Sequence, residues 1–407
     1  MNVEKKVPEI RFKGFSGEWL ENPIGEICGA TFGGGTPSTS ESNFWQGDIP
    51  WIQSSDLKEG SVSSVNAKKH ITKAAVNKSA TKLVSGNSIA IVTRVGVGKL
   101  SLMKAEYATS QDFLSLSDLK VDTQYSAYAI WKLLQVEKEQ VQGTSIKGIT
   151  KEELLSKTIN YPNIKLEQTA IGNYFQKLDS LINRHQQKHD QLSNIKKAML
   201  EKMFPKPGET TPEIRFKGFS GEWEERSWCD TVDISTNMVD PRNNQYGELL
   251  HVGPGNIESF TGRFYDNVLR VKDSNLISGK FYFNKGDIIY GKINPQLAKY
   301  VIAPFEGLAS ADAYVLNTKN GVVQSYLFTV LHSEDFYKYT VSVSSRTGMP
   351  KINRDELSIY SYMAPNEHEQ TAIGNYFQKL DALINQHQQQ ITKLTNIKQA
   401  FLRKMFV

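Results

Sequence analysis

Cationic and amide side chains at short spacing are the residues of this chain best suited to gripping a ligand. Four groupings recur: Thr93-Arg94 with Lys99, Lys292-Ile293-Asn294 with Gln296 and Lys299, Thr144-Ser145 with Lys147, and Ser345-Arg346-Thr347 with Lys351. Arg, Lys, Asn and Gln carry the donors and acceptors that read base edges, and Ser and Thr hydroxyls commonly hold phosphates. Thr36 and Ser38, just after Gly33-Gly34-Gly35, extend the set. For any one of them a solvated turn is the ordinary alternative. Recurrence at matching places in two halves of the chain favours a shared nucleic-acid edge. Arg94 aligns with Asn294, 200 positions on, which reads as a change of reader type at one position. The three glycines read as a plain turn rather than a phosphate cradle.

Reaction chemistry is harder to find. Gly98-Lys99 is followed by Leu100, so there is no Walker loop. Neither a nucleophile elbow nor HExxH occurs. Asn294-Pro295 continues into Gln296 and Leu297, not into the Pro-aromatic pair with which amino-directed DNA methyltransferases hold a flipped base. No convincing carboxylate-and-lysine nuclease cluster is present. His185 and His189 have the i, i+4 spacing of a metal site, but their repeat counterparts are His387 and Ile391. A polar layer in a helix pair is the better reading. The two cysteines, Cys28 and Cys229, form no CxxC motif and suggest a reducing cytoplasm. No catalytic residue and no metal ligand is assigned.

What positions the candidate readers is an internal repeat. Pro8-Glu9-Ile10-Arg11-Phe12-Lys13-Gly14-Phe15-Ser16-Gly17-Glu18-Trp19 returns unchanged as Pro212 through Trp223. Glu167 through Asp179 returns as Glu369 through Asp381, and Lys202-Met203-Phe204 as Lys404-Met405-Phe406. Between these blocks the halves diverge, though Gly86, Lys99, Ser110 and Asp112 stand 200 positions before Gly286, Lys299, Ser310 and Asp312. Fixed frames around divergent middles imply one constant job and one variable job performed twice.

The second repeated block predicts long helices over 167–204 and 369–407. Phe175, Leu178, Ile182, His185, Leu192 and Met199 follow one face of the first; Phe377, Leu380, Ile384, His387, Leu394 and Phe401 follow the second. Neither helix can bury its stripe alone, so the two are expected to pair antiparallel as a coiled coil. About 38 residues give each a length of about 57 Å, and an insertion after Phe204 is expected to lengthen the pair. The net charge of +5 resides in these helices, leaving the remainder neutral in sum, so composition alone does not argue for DNA. No stretch is apolar enough for a membrane span.

The middles read as short strands, including Asp48–Gln53, Ser88–Thr93 and Gly286–Tyr290, with helices over Tyr125–Gln142 and Val322–Tyr339. An α+β class follows. The expected division is a conserved segment 1–19, a first variable domain 20–166, helix 167–204, linker and repeated segment 205–223, a second variable domain 224–368 and helix 369–407.

These features together resemble type I restriction–modification specificity (S) subunits. The resemblance rests on Gly33 through Ser38, Gly47-Asp48-Ile49-Pro50-Trp51-Ile52, Glu167-Gln168-Thr169-Ala170-Ile171 opening a long helix, and Gly286 through Lys292. It covers essentially the whole chain, and the duplicated layout is more specific than any one motif. It implies a non-catalytic subunit with two mixed α/β target-recognition domains separated by two antiparallel helices. Each domain would read half of a bipartite double-stranded DNA target. The helices would set the spacer and dock two modification (adenine-methyltransferase) subunits. S-adenosylmethionine would bind those partners, not this chain, and ATP and Mg would bind restriction subunits where these join. Recognition domains differ among members, so the resemblance supplies no target sequence. A self-contained DNA methyltransferase or nuclease, or a protein-binding scaffold, are the alternative readings.

Overall fold

The computed structural model describes residues 6–63, 65–140, 148–344 and 348–407. They form two compact units. One comprises Met1–Gln186 with Gln388–Val407, and the other Gln187–His387.

The first unit runs β1 (Leu20–Pro23), α1 (Ile24–Ile27), β2 (Cys28–Gly33), β3 (Ile49–Ile52), β4 (Lys69–Ile71), α2 (Lys73–Lys78), β5 (Ser88–Val92), β6 (Leu100–Met103), β7 (Ala108–Thr109), β8 (Phe113–Leu119), α3 (Thr123–Gln140), α4 (Lys151–Ser156) and β9 (Thr158–Tyr161). It continues into α5 (Lys165–Lys202), whose second half belongs to the other unit. An antiparallel sheet in the order β2-β8-β5-β6 carries the core. All five residues of β5 are buried, which is why Ser-Ile-Ala-Ile-Val is nearly unbroken in apolarity rather than alternating. A smaller sheet, β4-β3-β7, includes one parallel pair, β3 with β7.

The second unit repeats this plan with β10 (Glu224–Ser227), α6 (Trp228–Thr231), β11 (Val232–Ile234), β12 (Met238–Val239), β13 (Leu250–Val252), β14 (Leu269–Arg270), β15 (Lys280–Phe283), β16 (Ile288–Gly291), β17 (Tyr300–Ile302), β18 (Gly307–Ala309), β19 (Ala313–Thr318), α7 (Gln324–Leu331), α8 (Glu334–Ser344), α9 (Arg354–Ser358), β20 (Ser361–Ala364) and α10 (Glu367–Lys404). Its four-stranded sheet, β11-β19-β16-β17, matches the first, while the second sheet grows to five strands. The single helix expected over Val322–Tyr339 is two. Ser333 divides them: its hydroxyl donates back to the Val330 carbonyl and accepts from the Phe336 amide, capping a new helix start.

The repeated blocks form a clamp in each unit. The Arg11 guanidinium donates to both Glu167 carboxylate oxygens at 2.6 and 2.7 Å, and to the carbonyls of Ser16 and Gly17. Arg215 does the same to Glu369, Ser220 and Gly221. Both glutamates are fully buried, a position a carboxylate tolerates only with such a bidentate partner. The neighbouring glutamine explains the next letter of the motif. Gln168 accepts from the Asp122 amide and donates to the Pro162 carbonyl, as Gln370 does with Val323 and Pro365. Gly172 and Gly374 complete it, because a Cβ there would lie 3.0 Å from the Tyr125 amide nitrogen or 2.6 Å from Ser325 Cβ.

Each unit contains the first half of one long helix and the second half of the other, running antiparallel. In the first unit Phe175 lies 5.5 Å from Phe406 and Asp179 accepts from Lys398 at 2.5 Å, so chain numbers fall along one helix as they rise along the other. Leu178 and Leu394 join the same core. In the second unit Leu192 and Met199 pack with Phe377 and Leu380. The stripes also serve the domain cores, with Phe175 5.3 Å from Tyr128 of α3. Ile182, His185, Ile384 and His387 are half-buried. Phe204 is not a point at which the helix can be lengthened. It lies beyond the end of α5 and stacks on Tyr326 at 5.8 Å, which fixes it in the second unit.

Candidate nucleic-acid interface

In each unit the candidate readers gather at one hairpin, β5–β6 in the first and β16–β17 in the second. The Thr93 amide donates to the Asp112 carbonyl at 2.7 Å, and the Thr93 carbonyl accepts from Ile149 at 2.8 Å. The chain is thereby gripped from both sides as it leaves the sheet, and Arg94 emerges exposed, with Lys99 half-buried at the start of the returning strand. Gly148 lies against this segment because a Cβ there would be 2.9 Å from the Thr93 carbonyl. Thr36 is drawn to the same place, its hydroxyl donating to the Gln111 side chain at 2.5 Å. Thr144, Ser145 and Lys147 lie outside the described residues, as do Arg346 and Thr347.

The second unit uses the same grip with different side chains. The Lys292 amide donates to Asp312 and its carbonyl accepts from Ile352, each at 3.0 Å. Ile293 pairs with Lys351, and the Asn294 amide donates to the Pro350 carbonyl at 2.7 Å. The Lys292 ammonium lies 5.2 Å from the Tyr314 ring centre, with Arg354 over the same ring at 5.6 Å. Burial, then repulsion from Lys351, holds Lys292 below the ordinary lysine value, Asp312 opposing. Asn294 and Ala298 are both left-handed, at φ 52° and 43°, and bound a turn carrying Gln296 and Leu297. For an alanine that conformation is uncommon and costs about 1 kcal/mol or more. Lys299 is engaged, donating to the Pro254 carbonyl at 2.6 Å.

These bonds correct the pairing of Arg94 with Asn294. Ile89 faces Leu116, and Ile288 faces Leu316, so the partner strands differ by 200 positions while β5 and β16 differ by 199. Thr93 therefore matches Lys292, and Arg94 matches Ile293. Left-handed Asn87, not Gly86, is the counterpart of Gly286, at φ 58° and 95°. The second hairpin is one residue longer at its tip, and numbering recovers its 200 offset at Lys99 and Lys299. The cation moves across the pairing: Arg94 beside Gly148 in one unit, Lys351 beside Ile293 in the other.

Ser38 joins a different cluster. Its carbonyl accepts from the Trp45 indole at 3.0 Å, and its hydroxyl bonds that of Ser40. Lys69 lies over Trp45 and Trp51, at 5.5 and 5.6 Å, in a cleft that Lys68, His70 and Thr39 also line. The run Lys68-Lys69-His70 was the signal for it in the sequence, without the tryptophans that complete it. Two of the three glycines are required by close packing, since a Cβ on Gly34 would collide with the Ser110 carbonyl and one on Gly35 with the backbone of Ala80, while Gly33 has open space around it.

Arg94, Lys99, Lys292 and Lys351 make no ion pair among the described residues, whereas Lys138, Lys157, Arg242 and Arg270 are all paired with carboxylates. Unpaired cations gathered at a hairpin tip make a positive edge. Among the described residues no three His, Cys, Asp or Glu side chains gather as metal ligands, and no helix is long and apolar enough to cross a membrane.

The duplicated plan is shared with known proteins. The family described as type I restriction modification DNA specificity domain matches residues 16–194 and again 222–396. The Escherichia coli type I restriction enzyme EcoDI specificity subunit is 26% identical over 348 residues, 77% of either chain. The Methanocaldococcus jannaschii MjaIX specificity subunit is 25% identical over 428 residues, covering 95% of this chain and 92% of that one. The fold matches the crystal structure of the S subunit of a type I restriction–modification system from M. genitalium, with TM-score 0.69 at 13% identity over 98% of this chain and 99% of the other. Two copies of the clamp, two hairpins with one backbone grip and two family matches thus describe one molecule, a member of the type I restriction–modification DNA specificity family.

Proposed function

We propose that this chain is the sequence-reading, non-catalytic subunit of an adenine-methylating type I complex, each unit reading one half of a bipartite duplex target. The observation that carries this is the pair of hairpins. One backbone grip, at Thr93 and at Lys292, holds different readers beside unpaired cations. Cations supply phosphate contact, and the changed side chains supply different base readout. The long helices set the spacing between half-sites and dock two modification subunits, which bind S-adenosylmethionine. Where restriction subunits join, they bind ATP and Mg. The subunit works in the cytoplasm, on chromosomal and invading DNA.

Methylome sequencing of cells expressing the chain with modification subunits tests this. The expected result is one bipartite adenine-methylated motif, absent without this chain. Exchanging residues 20–166 for those of a relative alters one half-site only. Methylation by the purified chain alone, or a change in both halves on a single exchange, overturns the reading.

A further inference from the structure

Both hairpin tips end on an aliphatic side chain facing water. Val95 is 70% exposed and Leu297 is 41% exposed, although each is next to a reading residue. Both tips are also held firmly. In the first, the Gln135 side chain donates to the Gly98 carbonyl at 2.7 Å and the Lys99 amide to the Gly96 carbonyl at 3.3 Å. In the second, the Phe260 amide donates to the Ala298 carbonyl at 2.9 Å and the Tyr337 hydroxyl to the Gln296 carbonyl at 3.3 Å. An apolar group held in water beside unpaired cations needs an occupant that is apolar at one point and anionic around it. A two-stranded ribbon fits the DNA major groove, and the one apolar group on a base edge there is the thymine 5-methyl.

We propose that Val95 and Leu297 are specificity residues, each packing on the 5-methyl group of one thymine in its own half-site. This rests on the reading of the hairpins as the DNA interface. Lys99 in one unit and Lys351 in the other hold the flanking phosphates, so that the methyl contact adds discrimination rather than general affinity.

The test uses the full chain assembled with its modification subunits, on duplexes carrying the mapped target. Each thymine is replaced in turn by deoxyuridine, which removes only the methyl. In each half-site one replacement weakens binding by about fourfold, the worth of one buried methyl group. That sensitivity disappears in Val95→Ala for the first half-site and in Leu297→Ala for the second. It persists in Val95→Ile and Leu297→Met, which keep an aliphatic tip and control for folding. If no thymine responds to deoxyuridine, or the alanine variants respond as the parent does, the proposal is wrong. Lys99→Ala and Lys351→Ala separate the two levels. If they weaken binding while deoxyuridine has no effect, only the methyl contact fails. If they leave binding unchanged, the interface itself is misplaced.

Discussion

Lys398 reaches Asp179 across 219 positions of sequence, its ammonium 2.5 Å from the carboxylate, with 5% and 3% of the two side chains exposed. Tyr128 donates to the second carboxylate oxygen, and Lys398 also donates to the Gly60 carbonyl. The repeat places Lys196 on Asp381 in the same way at 2.6 Å, but there 26% of the aspartate is exposed. Removing one partner of a buried pair strands the other charge, at about 3–5 kcal/mol. Lys398→Met is therefore expected to destabilise the first unit by that amount, and Lys196→Met to cost the second unit less. Asp179→Asn with Lys398→Met recovers part of the loss. Urea unfolding of the variants checks the order, which is wrong if the two lysine variants are equal.

Acid sensitivity is expected in the second unit. His332 is half-buried, with its Nε2 shielded from water, and bonds the Phe328 carbonyl through Nδ1 at 2.9 Å. Burial, then Lys196, holds its imidazole well below the ordinary value of 6.5. The unfolded chain takes up a proton near 6.5 and the folded one does not. The stability present above that value is lost as pH falls below it, by up to about 1.4 kcal/mol per pH unit. His251, lowered by burial and then Lys280, acts in the same direction. Between pH 6.5 and 5.5 the parent should lose about 1 kcal/mol more than His332→Asn. Parallel pH profiles for the two proteins would count against it.

Two kinds of reader should separate by salt. Lys292→Ala and Lys351→Ala remove phosphate-directed charge, so binding weakens on every sequence and the log–log salt slope falls by about 1 each. Arg94→Ala relaxes the requirement at one base pair of one half-site, by about 1–3 kcal/mol of discrimination. Gel shifts of the assembled complex across a salt series, with methylome sequencing, distinguish the two. A sequence-independent loss for Arg94→Ala would make it a phosphate contact instead.

The ruler is expected to respond where each helix passes from one unit to the other. Four helical residues added between Gln186 and Gln187, matched by four between His387 and Gln388, add about 6 Å and about 40° of rotation to each helix. The expected methylome shows both half-sites unchanged and a spacer one or two base pairs longer. An active variant keeping the original spacer would show that the helices do not measure it.

The helices and the repeat were legible because period-3.6 apolar residues and verbatim blocks are local signals. The units were not. Asp179 and Lys398 share a compartment that no linear division of the chain contains. The clamp was half visible: Arg11 and Glu167 stood in the repeated blocks, but their pairing spans 156 positions. The match of Arg94 with Asn294 failed for a local reason. A strand slipped by one residue relative to its neighbour looks aligned by number until the hydrogen bonds place Thr93 with Lys292.

The twin clamps make the two sockets for a reading domain interchangeable. Arg11 locks onto Glu167 with the same atoms that Arg215 uses on Glu369, and Gln168 and Gln370 take the backbone of the intervening domain in the same way, at Asp122 and at Val323. On the proposed function, specificity would be inherited as a pair of cassettes. A pool of n cassettes would then yield n × n ordered combinations, joined through the near-identical sequences that flank each one.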